Sequence, residues 1–477
     1  MRLSNIALAI TALYGATFSP ASLFAAGEQG VWYDPSDLTT LFQDKTGTTP
    51  VTAVEQPVGL MLDKSKSLAL GSELVNNSFW VTGAGWTFSN GVATAVSASS
   101  DAYRQATGPV SLDTCIITFR VTNYSGGTVR PALYGQTGQL VNGDGTYSFI
   151  AVNGNGDRFL YFTGSNFTGT IDNISVKTLA GNHAYQSTSA ARPVLSARVN
   201  LLTATSVLST QSVTTVATTY TLFFSGTGAI TLTGTATGVY TAGTYTITCT
   251  AGTLIATVAG LVTQADLRVA NDGVGLPAYQ RVNTSTDYDT VGFPLYIKPN
   301  GSSQFMVTNS INFSATNKMT VWAGVRKLSD AASAMFLELG PNTSSNNGSF
   351  FIGAPVSASS PSYEIDIKGT AENQLRYTTF TSPVTGVLAL SATTAAVNAA
   401  ASQTLRVNTS VMSGTNVASA NSTGNFGNYP LYLFARAGSS LWFGGRMYSM
   451  IVRGAASDAT QISQTETYVN SKTKAWG

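Results

Sequence analysis

The sequence predicts an all-β chain of packed sandwiches that ends in one short helix. Three observations predict it. Charged residues make up only 10% of the 477, against about 25% in ordinary soluble domains, so Ser, Thr, Asn, Gln and Gly have to supply the polar surface. Thr and Ser suit strand faces, and the 46 glycines and many asparagines suit turns. Apolar and polar residues alternate with a period of two in segments such as SLDTCIITFRVTNYSGG (111–127). The length suggests about two to four domains, and a hydrophobic share of 43% is enough for real cores.

Residues 1–27 form an apolar N-terminal segment. Arg2 precedes the run Ile6–Leu13, and Ala25-Ala26 follow. This is the outline of a secretory signal, with a short helix that docks on a partner as the alternative. The run falls short of the roughly 18 apolar residues a membrane-spanning helix needs, so no span is expected. Residues 28–66 carry the first strands. The stretch GEQGVWYDPSDLTTLFQD (27–44) sets Trp32, Tyr33 and Phe42 among Glu28, Asp34, Asp37 and Asp44. Asp34-Pro35-Ser36-Asp37 is a turn signal, because Pro fixes φ and Asp side chains bond the backbone that follows. Trp32 and Phe42 are then core or interface anchors.

Residues 67–180 read as strands of about five to eight residues between Gly, Asn and Ser turns, a sandwich or jelly roll. Residues 198–275 form a second strand-rich block with Thr, Ile, Leu and Val at period two and Gly turns. Residues 181–197 lie between the two blocks. From 276 to 477 the strands lengthen: MTVWAGVRKL (319–328), MFLELGP (335–341), NYPLYLFARAG (428–438) and RMYSMIVRG (446–454). Beyond Gly454, Ser457 or Asp458 can cap a helix with Ile462, Thr465 or Glu466, and Val469 at helical spacing. Its expected place is against a sandwich.

Several function classes are excluded. The net charge is +2 without a basic block, so no nucleic-acid footprint is expected. Cys115 and Cys249 give neither a disulfide framework nor a metal spacing and read as unpaired thiols in strands. The single histidine, His183, reads as a turn residue. One histidine makes a Ser-His-Asp triad improbable and a multi-histidine zinc site impossible within one chain. No phosphate-binding or dinucleotide motif lies between a strand and a helix.

ELVNNSFWVTGAGWTFSNGVATA (73–95) and IDNISVKTL (171–179) are similar to the first and last strands of carbohydrate-binding-module jelly rolls. MTVWAGVRKLSDA, NNGSFFIGAP, GNYPLYLFARAG and LWFGGRMYSMIVRGAASDATQISQTETYVNSKT resemble the concanavalin A-like, laminin-G-like lectin sandwich of phage and prophage proteins, over about 160 residues. In that family a segment like WYDPSDLTTLFQD opens the sandwich and is followed by DKS, a GNHA turn and ARPVL. Here Leu62-Asp63-Lys64-Ser65 is followed by GNHAYQSTSAARPVL only at Gly181. The resemblance therefore implies one sandwich interrupted by a jelly roll at 67–180 and by a second insertion at 198–275.

It also implies a non-enzymatic virion protein of tail-fibre, tail-spike or head-fibre type. Such a protein would sit on the particle surface beside other virion proteins and bind host-surface polysaccharide, as a homotrimer by analogy. A secreted or prophage-derived adhesin is the alternative. Candidate sugar platforms are Trp86, Tyr103 and Tyr124 in the first insertion and Trp442 in the C-terminal block, each with a core role as the alternative. Asp34 and Asp37 are candidate Ca²⁺ ligands, since such sandwiches often hold that ion. Glu364 and Asp366 in SYEIDIKG (362–369) share a strand face and resemble the start of the Glu-x-Asp-x-Glu signature of a glycoside hydrolase family built on the same sandwich. The third acid of that signature is Lys368 here. Lysine cannot serve as the acid at neutral pH without a large shift, so a glycan depolymerase is disfavoured.

Overall fold

The computed structural model describes residues 18–75, 80–105, 114–133, 135–152 and 159–477. The N-terminal run Ile6–Leu13 lies outside them. The described residues form four sheets, antiparallel throughout, and are all-β apart from short helical segments.

Two sheets face each other across the largest core. One has eight strands, with Gly445–Arg453 paired to Gly30–Tyr33, Tyr296–Lys298 and Lys318–Lys327. The other has ten, running from Leu41–Phe42 through Leu60–Met61, Ala184–Tyr185, Met306–Asn312, Asn428–Leu433, Met335–Leu339, Ser349–Gly353, Tyr363–Lys368 and Glu372–Tyr377 to Thr415–Ala418. Strands on both sides of residues 62–183 and 197–295 therefore share sheets. Gly30 pairs with Arg453, more than 400 residues away.

Strand alternation explains the packing. Met319, Val321, Ala323 and Val325 point into the core with Leu337, Phe350, Ile365 and Leu431 from the facing sheet. Trp322 points the other way, beneath the closing helix Ala459–Thr473, with Trp32, Val387, Ile451 and Val469. A strand covered on both faces needs apolar residues at nearly every position, which is why MTVWAGV reads as a continuous run. The helix starts in a capping box: Asp458 Oδ1 accepts from Gln461 N at 2.8 Å, and Gln461 Oε1 accepts from Asp458 N at 3.1 Å. It sits so close that a Cβ on Gly324 would lie 2.0 Å from Thr473 Oγ1.

The first insertion is a nine-stranded unit with its own core, among it Ile117, Phe119, Phe162, Phe167 and Ile171. Its strands differ from the short ones the sequence suggests: Cys115–Leu133 spans 19 residues and Phe159–Leu179 spans 21. Register shifts bend Phe159–Leu179 between Ser165 and Thr168 and between Asp172 and Ser175. Asn123, Asn166 and Asn173 adopt left-handed φ near 50° along these strands. The asparagines that read as turn residues thus let one strand change direction without ending. The second insertion, Gln211–Val269, has five strands around Leu222, Phe224, Ile230 and Leu267. Cys115 and Cys249 are both buried and are not joined in a disulfide.

Candidate functional site

Register along the ten-stranded sheet brings one residue from every strand into a single row. In order these are Phe42, Leu60, Tyr185, Val307, Tyr432, Glu338, Phe351, Asp366, Gln374 and Ala418. Directly opposed residues of adjacent strands share a face. Their chain neighbours Met61, Ala184, Met306, Leu431, Leu433, Leu337, Leu339, Ile352, Ile365 and Leu375 fill the core. The row therefore lies on the sheet's outer face.

Three environments divide this row. At one end Phe42, Leu60 and Tyr185 are roofed by Ile116, Ile150, Val152 and Leu179 of the first insertion. At the other end the loops around Thr343 and Ser357 cover an ionic cluster. Glu338 Oε1 accepts from Thr343 N at 2.8 Å, and its Oε2 accepts from Arg436 Nε at 3.0 Å. The Arg436 guanidinium lies 5.6 Å above the Phe351 ring. Glu364 pairs with Arg376 Nε at 3.1 Å and accepts from Ser357 N at 3.3 Å.

Between the two ends is a hollow of about 390 Å³, lined among others by Tyr185, Phe305, Val307, Asn309, Pro430 and Tyr432. Burial, the nearby Tyr185 and the negative Glu338 push the Tyr432 hydroxyl up, so it stays a neutral donor and acceptor. Three partly exposed rings with hydroxyl and amide groups between them can stack on one face of a ring and bond its edge.

The expected site residues fall in different places. Trp442 is half-buried, 6.0 Å from the Phe305 ring, and backs the hollow without lining it. Trp86 is a correction: it is 4% exposed, its Nε1 donates to Ser100 O at 2.9 Å, and it packs beside Phe167. A ring so enclosed cannot offer a face to a sugar. Tyr124 also packs on Phe167, with its hydroxyl tied back to Gly127 O at 3.0 Å. Tyr103 lies in an outward group with Phe159 at 5.5 Å and Tyr161 at 5.4 Å, all half-buried, with Asp101, Thr163 and Arg130 in the adjoining row.

Asp34 and Asp37 are a second correction, because lysines take the place expected for Ca²⁺. Asp34 is 3.6 Å from Lys64 Nζ and 3.3 Å from Lys472 Nζ, and Lys64 Nζ contacts Asp37 at 2.6 Å. Burial opposes their ionisation, but the hydrogen bonds from Ser36 to Asp34 and from Lys64 to Asp37, together with the two ammonium charges, outweigh it and hold both carboxyls below the usual carboxylate range.

Glu364 and Asp366 are 1% and 2% exposed. Lys368, at the third position of the hydrolase-like pattern, donates to Ser344 O and lies 3.7 Å from Glu372. Burial, and then the charge of Glu372, push Asp366 up to about 7. One of its carboxyl oxygens is enclosed without a hydrogen-bond partner. His183 is 2% exposed and structural: its Nδ1 accepts from Asp63 N at 2.9 Å. Asp63 in turn collects N–H groups of Trp32 and Asn182, each at 2.7 Å, at the base of the first insertion.

Sequence reasoning missed Tyr185, Phe305 and Tyr432. Tyr432 carried a signal, an aromatic residue at outward parity between core-facing Leu431 and Leu433. Tyr185 sits in a two-residue strand and Phe305 outside any strand, so neither had a periodicity to read.

No protein family and no curated protein matches the chain. Among solved structures it is similar to the Ruminococcus gnavus IT-sialidase CBM40, at 16% identity and a TM-score of 0.25, over 32% of this chain and 84% of that one. It is also similar to the NanB sialidase from Streptococcus pneumoniae, at 15% identity and a TM-score of 0.25, over 32% of this chain and 26% of that one. Likenesses this distant assign no function, and the reading below rests on the residues of this chain.

Proposed function

We propose that this chain is a non-catalytic glycan-binding protein of an exposed surface, with the hollow between Tyr185, Phe305 and Tyr432 as its sugar site. The observation that carries the reading is the arrangement of that hollow. Aromatic rings from separate elements meet beside Thr308, Asn309 and Ser310 on a sheet face framed by the first insertion at one end and by the loops around Thr343 and Ser357 at the other. Stacking of aromatic faces on pyranose C–H groups, with a few hydrogen bonds at the edge, is the chemistry such a surface offers.

The particular surface we propose is that of a phage virion, in a tail-fibre, tail-spike or head-fibre position, with host-envelope polysaccharide as ligand. Its support is the resemblance of the C-terminal strands to lectin-like sandwiches of phage proteins. A non-catalytic role is supported by the enclosure of Glu364 and Asp366 and by Lys368 in place of the third acid.

Immobilised envelope polysaccharide tests this. The expected result is retention of the purified chain with no release of reducing ends. Release of reducing ends would overturn the non-catalytic reading. Absence of retention on every pyranose polysaccharide tried would overturn glycan binding.

A further inference from the structure

From Val199 to Ala265 the sequence contains no Asp, Glu, Lys, Arg or His. A surface free of charge over such a length is unusual even in this chain. Within it lies Gly238–Cys249, a 12-residue strand that among the described residues pairs only with Thr218–Gly234. Its other side is an open edge.

Exposed edges are normally blunted by short length, lysine, proline or an inward charge. This one has none of these. Val239, Thr241, Ala242, Thr244, Thr246 and Thr248 are exposed along it, Val239 at 71%. The opposite edge strand, Gln211–Thr215, has only five residues.

We propose that Gly238–Cys249 pairs antiparallel with the same strand of a second copy of this chain, about a two-fold axis near Gly243 and Thr244. The choice of occupant follows from what the edge presents. It carries no charge that could select a charged partner or repel its own copy. Threonine hydroxyls both donate and accept, so Thr244 at the axis can bond its own copy, and Thr246 meets the small Ala242 of the partner strand. An antiparallel pairing about a two-fold axis puts the same patch on both partners and closes the assembly at two. The two five-stranded sheets become one continuous sheet, and neither long edge stays open.

Sedimentation equilibrium of the intact chain at tens of micromolar tests this, with Thr244→Lys/Thr246→Lys and Thr244→Glu/Thr246→Glu variants. The wild type is expected to be a dimer. Each variant should associate at least tenfold more weakly with an unchanged melting temperature, because the new side chains are solvated in the monomer and repel only across the axis. Mixing the lysine and glutamate variants should restore a dimer. A monomeric wild type, or a lysine variant that dimerises as tightly as the wild type, overturns the proposal.

Discussion

Asp272→Ala is expected to cost about 3–5 kcal/mol of stability, the range for removing one partner of a buried ionic group. Asp272 follows the last strand of the second insertion and is 4% exposed. Its oxygens lie 2.7 and 2.9 Å from Arg446 Nη1, and Oδ1 is 3.6 Å from Arg326 Nε. Arg326 is fully enclosed and also donates to Asn271 O and Oδ1, each at 3.0 Å. Burial opposes the charge of Arg446, but Asp272, Tyr296 and Tyr448 outweigh it and hold the guanidinium protonated. Without Asp272, two buried cations on adjacent sandwich strands lose their counter-charge together. Urea unfolding followed by tryptophan emission checks this, since Trp322 sits on the same strand as Arg326. A loss below about 1 kcal/mol, the upper end of what an exposed pair is worth, would show that the cluster is solvated in solution.

Asp366→Asn is expected to do the reverse and stabilise the chain at neutral pH. The folded state holds this carboxyl near 7, against 3.8 for the ordinary group. A raised acid binds its proton more tightly in the folded chain. Stability from that proton is present in full below pH 4 and is lost as pH rises through 7. The unpartnered oxygen supplies the physical cause: ionisation puts charge on an enclosed atom with no donor. The asparagine variant cannot ionise. Its gain over wild type should be near zero at pH 4 and grow to a few kcal/mol, with about 4 as the ceiling, by pH 8. Paired unfolding curves at the two pH values measure the difference, and shared titrations elsewhere cancel. A gain independent of pH would show that Asp366 ionises freely in the folded chain.

Much of the fold is legible in the sequence because alternation and low charge leave few alternatives. The strands Lys318–Lys327, Met335–Leu339, Asn428–Leu433 and Gly445–Arg453 are visible as alternating or doubly covered runs. The capped helix is visible from Asp458 and its spacing. Strand length in the first insertion is not legible, because asparagine at a bulge and asparagine at a turn satisfy the same left-handed backbone.

The candidate site is less legible, for a similar reason. A sequence shows which residues are aromatic or acidic but not which strands lie side by side. Tyr185, Val307, Tyr432 and Glu338 become neighbours only through the order of four strands from distant parts of the chain. Trp86 looks like Tyr103 in sequence, yet parity sends one ring into the core and the other outward. The acids at Asp34 and Asp37 look like a cation site until Lys472, from the far end of the chain, arrives beside them.

The measurement that tests the central claim most directly is the affinity of an oligosaccharide cut from the retained polysaccharide, by titration calorimetry, for the wild type, Tyr432→Ala and Tyr103→Ala. The account predicts at least a tenfold loss for Tyr432→Ala, about 1.4 kcal/mol, with an unchanged melting temperature and no loss for Tyr103→Ala. Equal affinity of Tyr432→Ala and the wild type, or a loss confined to Tyr103→Ala, would contradict it and move the sugar site away from the hollow.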